Sequence, residues 1–325
     1  MSIVLVNFLI VIIGSIAVLL TAYFSVKSSV VLGYHFGLSD ELIGMTVLSV
    51  GTSLPEIMTH IVCSLKILEH PQLLNNLSGL VLGTNIGSDI FQQNFVLSIV
   101  AIVGIVTVEK NHLFKDMGGL IFASLLVLIF GLNGIISRFE GFILFFGYIL
   151  YLFMLKKRGM IEEKSIVKIQ KKQVFKNIII LILSFTIMAF SADKVVDSSE
   201  MLIKQLHISA SYFGIIVLGV ASAMPELTTS LIAIFKKKKA ISAGILIGSN
   251  VTNPMFALGL GALISTYTVP QVVILLDLPF KIFTALLILY FLWKHEILKK
   301  KNAIALICVY LTYIYVRNLW FPVDF

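Results

Sequence analysis

"VGTSLPEIMT", residues 50–59, lies inside a long apolar run, yet it contains a glycine, adjacent Thr and Ser hydroxyls, a proline and a glutamate. The stretch returns as "VASAMPELTT", residues 220–229, which keeps the proline and the glutamate. An acidic residue in the middle of a membrane helix costs roughly 2.5–3.5 kcal/mol on insertion scales. Two acids at matched positions therefore predict a site for cations or protons inside a membrane.

The composition of the chain is that of an integral membrane protein. Of its 325 residues, 58% are hydrophobic and 13% are charged, against about 25% charged residues in soluble domains. Repeated apolar stretches longer than about 17 residues predict spanning helices. The first, residues 3–24, lacks a basic leader and a small-residue cleavage motif, so we interpret it as a retained span.

Apolar windows bounded by polar residues predict ten spans. Their ranges are 3–24, 41–66, 78–106, 118–136, 140–155, 177–193, 211–235, 241–265, 271–293 and 302–320. The loops after odd-numbered spans hold 19 Lys and Arg residues, and the other loops hold 4 when Lys66 is included. The positive-inside rule then predicts cytoplasmic odd loops and both termini outside. This pattern explains the net charge of +8 without nucleic acid as a partner.

The chain contains an internal repeat. Residues 36–59 align without gaps to residues 206–229, and "IGSDIFQQN" (86–94) aligns to "IGSNVTNPM" (247–255). Five predicted spans precede the basic linker 156–176 and five follow it, which divides the chain into repeats 1–155 and 177–325. An odd number of spans per repeat gives the two halves opposite orientations. Inverted repeats of this kind are typical of secondary transporters.

The two buried acids, Glu56 and Glu226, need a counter-charge. Lys194 and Lys281 are placed nearer the ends of predicted spans, and His60 is the only basic residue close to Glu56 in sequence. Bound cations or protons are therefore the expected counter-charge.

The prolines that precede the two acids predict a helix interruption. Pro55 and Pro225 each remove a helical hydrogen bond, so each helix should break just before its glutamate. Carbonyls freed by such a break are hard oxygen ligands suited to Na⁺ or Ca²⁺. Hydroxyls of Thr52, Ser53 and Ser222 would add further oxygen atoms.

Predicted spans 3 and 8 carry a second polar pattern next to small residues. Ser88 and Gln92 are four residues apart, as are Ser249 and Asn253, so each pair shares a helix face. The neighbouring glycines permit close packing against the interrupted helices. Asp89 lies beside this face, and three roles stay open for it: a cation ligand, a proton carrier, or an acid on the access path.

"GTSLPE" followed by "IGSD", and "ASAMPE" followed by "IGSN", resemble the two alpha-repeats of the cation/calcium exchanger superfamily. The sodium/calcium exchanger branch, in its short prokaryotic form, is the most similar. The resemblance implies an all-α integral membrane protein with ten transmembrane helices in two inverted five-helix repeats. It also implies antiport of Ca²⁺ against Na⁺ by alternating access in a prokaryotic inner membrane.

Carried over by motif, Glu56 and Glu226 would be the central Ca²⁺ ligands. The resemblance adds the remaining cation-binding residues, which are Thr52, Ser53, Ser222, Ser88, Ser249, Gln92 and Asn253. Asp89 is a further candidate. No catalytic residue and no cofactor are implied, and the expected partners are inorganic cations and membrane lipid, with no obligate protein partner.

Three positions depart from the family pattern. Ala223 lacks the hydroxyl that Ser53 has at the matched position, which puts one sodium site in doubt. Gln92 stands where asparagine is frequent, and its longer side chain should crowd the centre. Asn253 stands where potassium-dependent members have aspartate, which disfavours potassium coupling.

Two other functions stay open from the sequence. The missing hydroxyl at Ala223 keeps H⁺-coupled cation antiport as an alternative. A membrane enzyme could use paired acids to hold a catalytic metal, but no second acidic pair of the DxxD type accompanies the two glutamates.

Overall fold

The computed structural model describes residues 3–36, 43–104, 110–157, 170–236 and 239–324. Within these ranges, nine helical stretches are long and apolar enough to cross a membrane. The predicted span 41–66 is present as a tenth, interrupted helix outside that count. The chain is therefore an integral membrane protein with the predicted all-α architecture.

The first half contains spans 1 to 5. Span 1 is Ile3–His35, and span 2 consists of Ile43–Leu48, Ser49–Thr52 and Leu54–Glu69. After a short 3-10 helix at Pro71–Leu73, span 3 consists of Leu74–Phe91, Gln92–Val96 and Leu97–Val103. Span 4 is Lys110–Gly131 and span 5 is Arg138–Lys157.

The second half repeats this order. Span 6 is Lys171–Leu206, and span 7 consists of Ala210–Phe213, Gly214–Leu218, Gly219–Ser222 and Met224–Phe235. Span 8 consists of Lys239–Thr252, Asn253–Ala257 and Leu258–Ile264. Span 9 consists of Val273–Asp277 and Leu278–His295, and span 10 is Lys300–Trp320.

Several helices are longer than the apolar windows that predicted them. Span 1 continues to His35 and span 6 runs from Lys171 to Leu206, since helical hydrogen bonding continues where the side chains become polar. Residues 171–176, assigned to the linker from the sequence, form the first turns of span 6. Residues 158–169 of the predicted linker lie outside the described residues.

The local irregularities of the helices repeat between the halves. Gln92–Val96 and Asn253–Ala257 are π-helical turns separated by the same 161 residues as the sequence repeat. Ile43–Leu48 and Gly214–Leu218 are a second matched pair. π-Helical turns within α-helices often mark functional sites. Their recurrence indicates that the two halves share one backbone design.

Glycines bring helices of opposite halves into backbone contact. A Cβ atom at Gly219 of span 7 would lie 2.7 Å from the amide nitrogen of Ser88 in span 3, and one at Gly83 would overlap the Ser211 carbonyl. Spans 1 and 6 lie along each other, and a Cβ atom at Gly14 would lie 2.6 Å from a methyl group of Val195. The polar faces of spans 2, 3, 7 and 8 thus meet in the interior.

The two halves are also joined by short strands between spans. β1 (Ile135–Ile136) lies in the connection from span 4 to span 5, and β2 (Tyr267–Thr268) lies between spans 8 and 9. They pair antiparallel, with Ile135 opposite Thr268 and Ile136 opposite Tyr267. This pairing holds a loop of the first repeat against a loop of the second.

Candidate cation-binding site

Each glutamate follows a helix interruption of a single residue. At Ser53 the backbone N–H still reaches the Ser49 carbonyl at 3.2 Å, and the N–H of Ile57 reaches the Ser53 carbonyl at 3.0 Å. The second repeat has the same pattern around Ala223. The predicted interruptions are present, and each is a kink rather than an unwound segment, because only the prolines lack a donor.

The carboxylate of Glu56 is fully buried and only half satisfied. Its Oε1 accepts a hydrogen bond from Ser88 Oγ at 2.6 Å, whereas Oε2 has no hydrogen-bond donor among the described residues. The hydroxyl of Ser222, from the other repeat, lies close enough to interact with this carboxylate.

The carboxylate of Glu226 is also fully buried, and neither oxygen has a hydrogen-bond donor among the described residues. Thr52 of the first repeat approaches it, but its hydroxyl donates to the Ser49 carbonyl at 3.3 Å. The two carboxylates are near enough to repel each other. Each repeat thus places a hydroxyl near the acid of the other.

Five buried oxygens without a partner in the described chain belong to residues predicted as cation ligands. Besides the three carboxylate oxygens, Ser53 Oγ and Asn253 Oδ1 are buried without a partner among the described residues. Burying an unpaired polar group is costly, and burying an unpaired charge more so. No three His, Cys, Asp or Glu side chains of the described chain form a metal cluster. A cation here would combine carboxylate, hydroxyl and amide oxygens, which Na⁺ and Ca²⁺ accept.

Gln92 connects the two repeats. Its Nε2 donates to Ser88 Oγ at 3.0 Å, and its Oε1 accepts from Ser249 Oγ at 2.5 Å and from Asn250 Nδ2 at 3.1 Å. A hydrogen-bonded chain therefore runs from Glu56 through span 3 to span 8. Ser249, the counterpart of Ser88, donates to Gln92 rather than to Glu226.

Asp89 is ion-paired, which corrects one expectation from the sequence. Its Oδ1 accepts from Asn253 Nδ2 at 2.7 Å, and its Oδ2 pairs with the ammonium group of Lys281. Lys281 is the ninth of the 23 residues of span 9 and its side chain is 1% exposed, so the expectation that it lies near a span end was wrong. A buried partner stabilises this lysine at depth. Asp89 itself is 0% exposed, as are Glu56 and Glu226.

Span 9 contributes polar residues that sequence reasoning missed. Thr284 Oγ1 donates to Gln93 Oε1 at 2.9 Å, and Gln93 Nε2 donates to Asn250 Oδ1 at 2.9 Å. The signal was available, because Lys281 and Thr284 lie three residues apart in a mostly apolar span and so share a helix face.

His60 does not supply the counter-charge. Asn85 Nδ2 donates one hydrogen to the Asn253 carbonyl at 2.9 Å and approaches His60 Nε2 at 3.1 Å. An imidazole nitrogen that accepts a hydrogen bond carries no proton. The other ring nitrogen faces the hydroxyl of Tyr267 at 3.2 Å. The ring is therefore neutral and belongs to a structural network.

Two cavities border these polar residues, one next to Thr84 and the other next to Leu97, towards opposite ends of span 3. One lies beside the kinks, between spans 1, 2, 6 and 7, and its lining includes Val18, Pro55, Thr59, Val195 and Ser222. The other is mostly apolar, and its lining includes Gln92, Gln93, Leu97, Leu246, Asn250 and Ile288.

The ten predicted site residues are brought together on spans 2, 3, 7 and 8. All ten side chains are buried, and they are Thr52, Ser53, Glu56, Ser88, Asp89, Gln92, Ser222, Glu226, Ser249 and Asn253. Inverted halves, matched interrupted helices and buried acids between them define the class of secondary transporters.

Within that class, the chain belongs to the family described as sodium/calcium exchanger protein, which it matches over residues 6–157 and 176–318. It is similar to the sodium/calcium exchanger MaX1 of Methanosarcina acetivorans, with 24% identity over 96% of this chain and 98% of that one. It is 29% identical to the inner membrane protein YrbG of Escherichia coli over 78% of each chain.

The fold is similar to a solved exchanger structure. The sodium-calcium exchanger NCX_Mj, soaked with 10 mM Na⁺ and zero Ca²⁺, superposes with a TM-score of 0.67 and 25% identity. The match covers 96% of this chain and 99% of that chain. Ten spans in inverted halves are therefore the architecture of the chain, as predicted.

Proposed function

We propose that the protein is a secondary antiporter that exchanges Ca²⁺ for Na⁺ by alternating access. The observation that carries this proposal is the set of three buried carboxylate oxygens, on Glu56 and Glu226, without a donor among the described residues. The family, and the exchangers named among the relatives, support the choice of ions.

The balance of charges in the site determines which sets of ions can replace each other. The two glutamates carry two negative charges, and Asp89 is neutralised by Lys281. One Ca²⁺ balances the two glutamates, as does a set of monovalent cations. An unloaded site keeps its charge, and moving a bare buried charge past a dry barrier is costly. Loaded states therefore change conformation more readily than the unloaded state, which couples the two fluxes.

The proposed ligands fall into two groups. Ser53 Oγ and Asn253 Oδ1 are free to join the glutamates directly, because neither has another partner in the described chain. Ser88, Gln92 and Ser249 are bonded to one another and hold the carboxylate side of the site in place. The hydroxyls of Thr52 and Ser222 are within reach of the opposite acids and complete the set.

Spans 1 and 6 are the proposed moving elements. They lie side by side and line the cavity next to Pro55 and Ser222. A shift of this helix pair along spans 2 and 7 would close that cavity, while the second cavity beside Asn250 gives the opposite route.

We place the protein in a prokaryotic inner membrane with both termini outside. The charge distribution of the loops supports this orientation. Fusions of alkaline phosphatase to the C-terminus and within residues 158–169 test it. The C-terminal fusion should be active and the internal one inactive, and the reverse result would overturn the orientation.

Transport in proteoliposomes tests the proposed function. Uptake of ⁴⁵Ca²⁺ should be fast against an outward Na⁺ gradient and slow without a gradient. H⁺-coupled antiport is the second candidate, because Ala223 lacks the hydroxyl of Ser53. It would be indicated by faster uptake with an outward H⁺ gradient than with Na⁺. Equal uptake in all three conditions would exclude both.

A further inference from the structure

The strongest unassigned feature is the buried pair of Lys281 and Asp89. The ammonium group of Lys281, in span 9, contacts Asp89 Oδ2, and both side chains are at most 1% exposed. Asn253 Nδ2 holds the other oxygen of Asp89 at 2.7 Å, while the Oδ1 atom of the same amide has no partner in the described chain. A single asparagine thus links the ion pair to the candidate cation ligands.

A second route also connects span 9 to the site. Thr284, one turn from Lys281, donates to Gln93, which donates to Asn250, and Asn250 donates to Gln92. Each of these hydrogen bonds is between 2.9 and 3.1 Å long. The lysine is therefore part of the polar interior, and it is not an isolated structural contact.

A purely stabilising role accounts poorly for this pair. A buried ion pair often contributes no more than apolar residues of the same size, because desolvation offsets the attraction. The inverted counterpart holds no such pair. Asn250 stands where the first repeat has Asp89, and span 4 has no lysine or arginine after Lys115. Acid and base therefore occur together where span 3 meets span 9, and neither is present at the matched positions where span 8 meets span 4.

We propose that Lys281 is a resident cation of the transport site. Its ammonium group binds the Asp89 carboxylate in the position that a transported monovalent ion would otherwise take. It therefore fixes the number of charges exchanged for each Ca²⁺. With Lys281 in place, three carboxylates and one ammonium leave a net charge of minus two, which matches one Ca²⁺. This inference rests on the proposed antiport and deepens it.

The measurement is the coupling ratio in proteoliposomes. The membrane potential is clamped at zero with K⁺ and valinomycin, and the Na⁺ gradient at which net ⁴⁵Ca²⁺ flux vanishes gives the number of monovalent ions moved per Ca²⁺. Lys281→Met should raise this ratio by one, because the Na⁺-loaded site then takes one more Na⁺ at Asp89, whereas the Ca²⁺-loaded site still holds a single Ca²⁺. Asp89→Asn should lower it by one. The double variant should return it to the wild-type value.

A purely structural role for the ion pair would not shift the coupling ratio in opposite directions in the two single variants. An unchanged ratio in both single variants, with wild-type transport intact, would overturn it. If Lys281→Met does not fold, Asp89→Asn and the double variant still decide. A double variant with a lowered ratio would mean that Asp89 binds a transported ion itself. Absence of any coupled flux in the wild type would instead count against the proposed function.

A matched control lies on the same helix. Asp277, one turn before Lys281, forms a second buried ion pair with Arg317 at 3.2 Å. That pair is bonded to Tyr313 and Ser211 and makes no hydrogen bond to the candidate ligands. The double variant Asp277→Asn/Arg317→Met should lower thermal stability and leave the coupling ratio unchanged. A changed ratio here would show that charge near span 9 acts non-specifically.

Discussion

The two central glutamates have different surroundings although their helices align without gaps. Glu56 receives a hydrogen bond from Ser88 at 2.6 Å, whereas Glu226 receives none from the described residues. By symmetry, Ser249 would donate a hydrogen bond to Glu226, but it donates to Gln92 instead. One long side chain thus converts a symmetric backbone into an asymmetric site, with one supported acid and one acid dependent on a cation.

The largest effect is expected from substitutions that remove one charge from the site. Glu56→Gln and Glu226→Gln should each reduce Ca²⁺ transport by about 100-fold or more, because one unit charge at about 4 Å is worth roughly 4 kcal/mol at an effective dielectric of 20. Initial rates of ⁴⁵Ca²⁺ uptake measure this. Full activity in either variant would show that the site is placed wrongly.

Thermal unfolding sharpens the same comparison. Without Na⁺ or Ca²⁺, Glu226→Gln should raise the melting temperature more than Glu56→Gln, because it removes a charge with no donor. Ca²⁺ should stabilise the wild type and neither variant, since a ligand that binds only the folded state shifts unfolding. Equal shifts for the two variants would mean that Ser88 does not distinguish the acids.

The next effect concerns the contacts between helices of opposite halves. In span 7, Gly219 lies against the backbone of Ser88, whereas its counterpart Ser49 in span 2 shares a hydrogen bond with Thr252 at 3.0 Å. Gly219→Ala should destabilise the protein by about 1–3 kcal/mol through overpacking. Ser49→Ala should cost about 0.5–1.5 kcal/mol, the value of one hydrogen bond.

Gly118→Ala is the control for Gly219→Ala. Among the described residues outside the adjoining backbone of its own helix, no atom lies within 4 Å of a Cβ atom built at Gly118, so this change should be neutral or slightly stabilising. Unfolding in one detergent, followed by circular dichroism, compares the three variants. If Gly219→Ala were as stable as Gly118→Ala, the close approach of spans 3 and 7 would not be needed for packing.

Much of this architecture could be predicted from the sequence, because the repeat carries it. The repeated Pro-Glu motif at Pro55 and Glu56 predicted the positions of the kinks and the acids within one residue. The apolar windows located the spans but not their ends, because a helix continues after its side chains leave the hydrophobic layer. Span 6 shows this, with a helix of 36 residues against a predicted 17.

The side-chain pairing could not be predicted in the same way. Lys281 and Asp89 lie 192 residues apart, and nothing in the local sequence around either residue indicates that the two form a pair. The asymmetry at Gln92 was visible as a longer side chain, but its partner depends on the distance between spans 3 and 8. Such contacts are set by tertiary packing, which a single sequence does not specify.

A smaller effect is expected from placing the same amide side chain, asparagine, at the matched positions 92 and 253 of the two repeats. Gln92→Asn shortens the side chain that accepts from Ser249 at 2.5 Å, so the serine hydroxyl becomes free to face Glu226. The apparent affinity for Na⁺ should rise by roughly tenfold, or about 1.4 kcal/mol, because the freed hydroxyl oxygen adds one ligand to a cation bound at Glu226. The concentration of Na⁺ that half-activates ⁴⁵Ca²⁺ release measures it.

A double-mutant cycle identifies the hydroxyl responsible. Ser249→Ala should have little effect on Na⁺ affinity in the wild type, where the serine is bonded to Gln92. In the Gln92→Asn background the same change should abolish the gain. Independent, additive effects of the two substitutions would contradict the proposed release of Ser249.

The smallest effect tests the remaining difference between the kinks. Ala223 is 0% exposed and occupies the position of Ser53, whose buried hydroxyl has no partner in the described chain. Ala223→Ser should increase Na⁺ affinity by about 2- to 10-fold, since a neutral hydrogen bond contributes about 0.5–1.5 kcal/mol. Ser53→Ala should lower it by a similar factor, and Na⁺ activation curves for both variants give the comparison. If Ala223→Ser left Na⁺ dependence unchanged while Ser53→Ala reduced it, only the first repeat would hold a sodium ligand at this position, and the coupling ion would be selected by one half of the molecule.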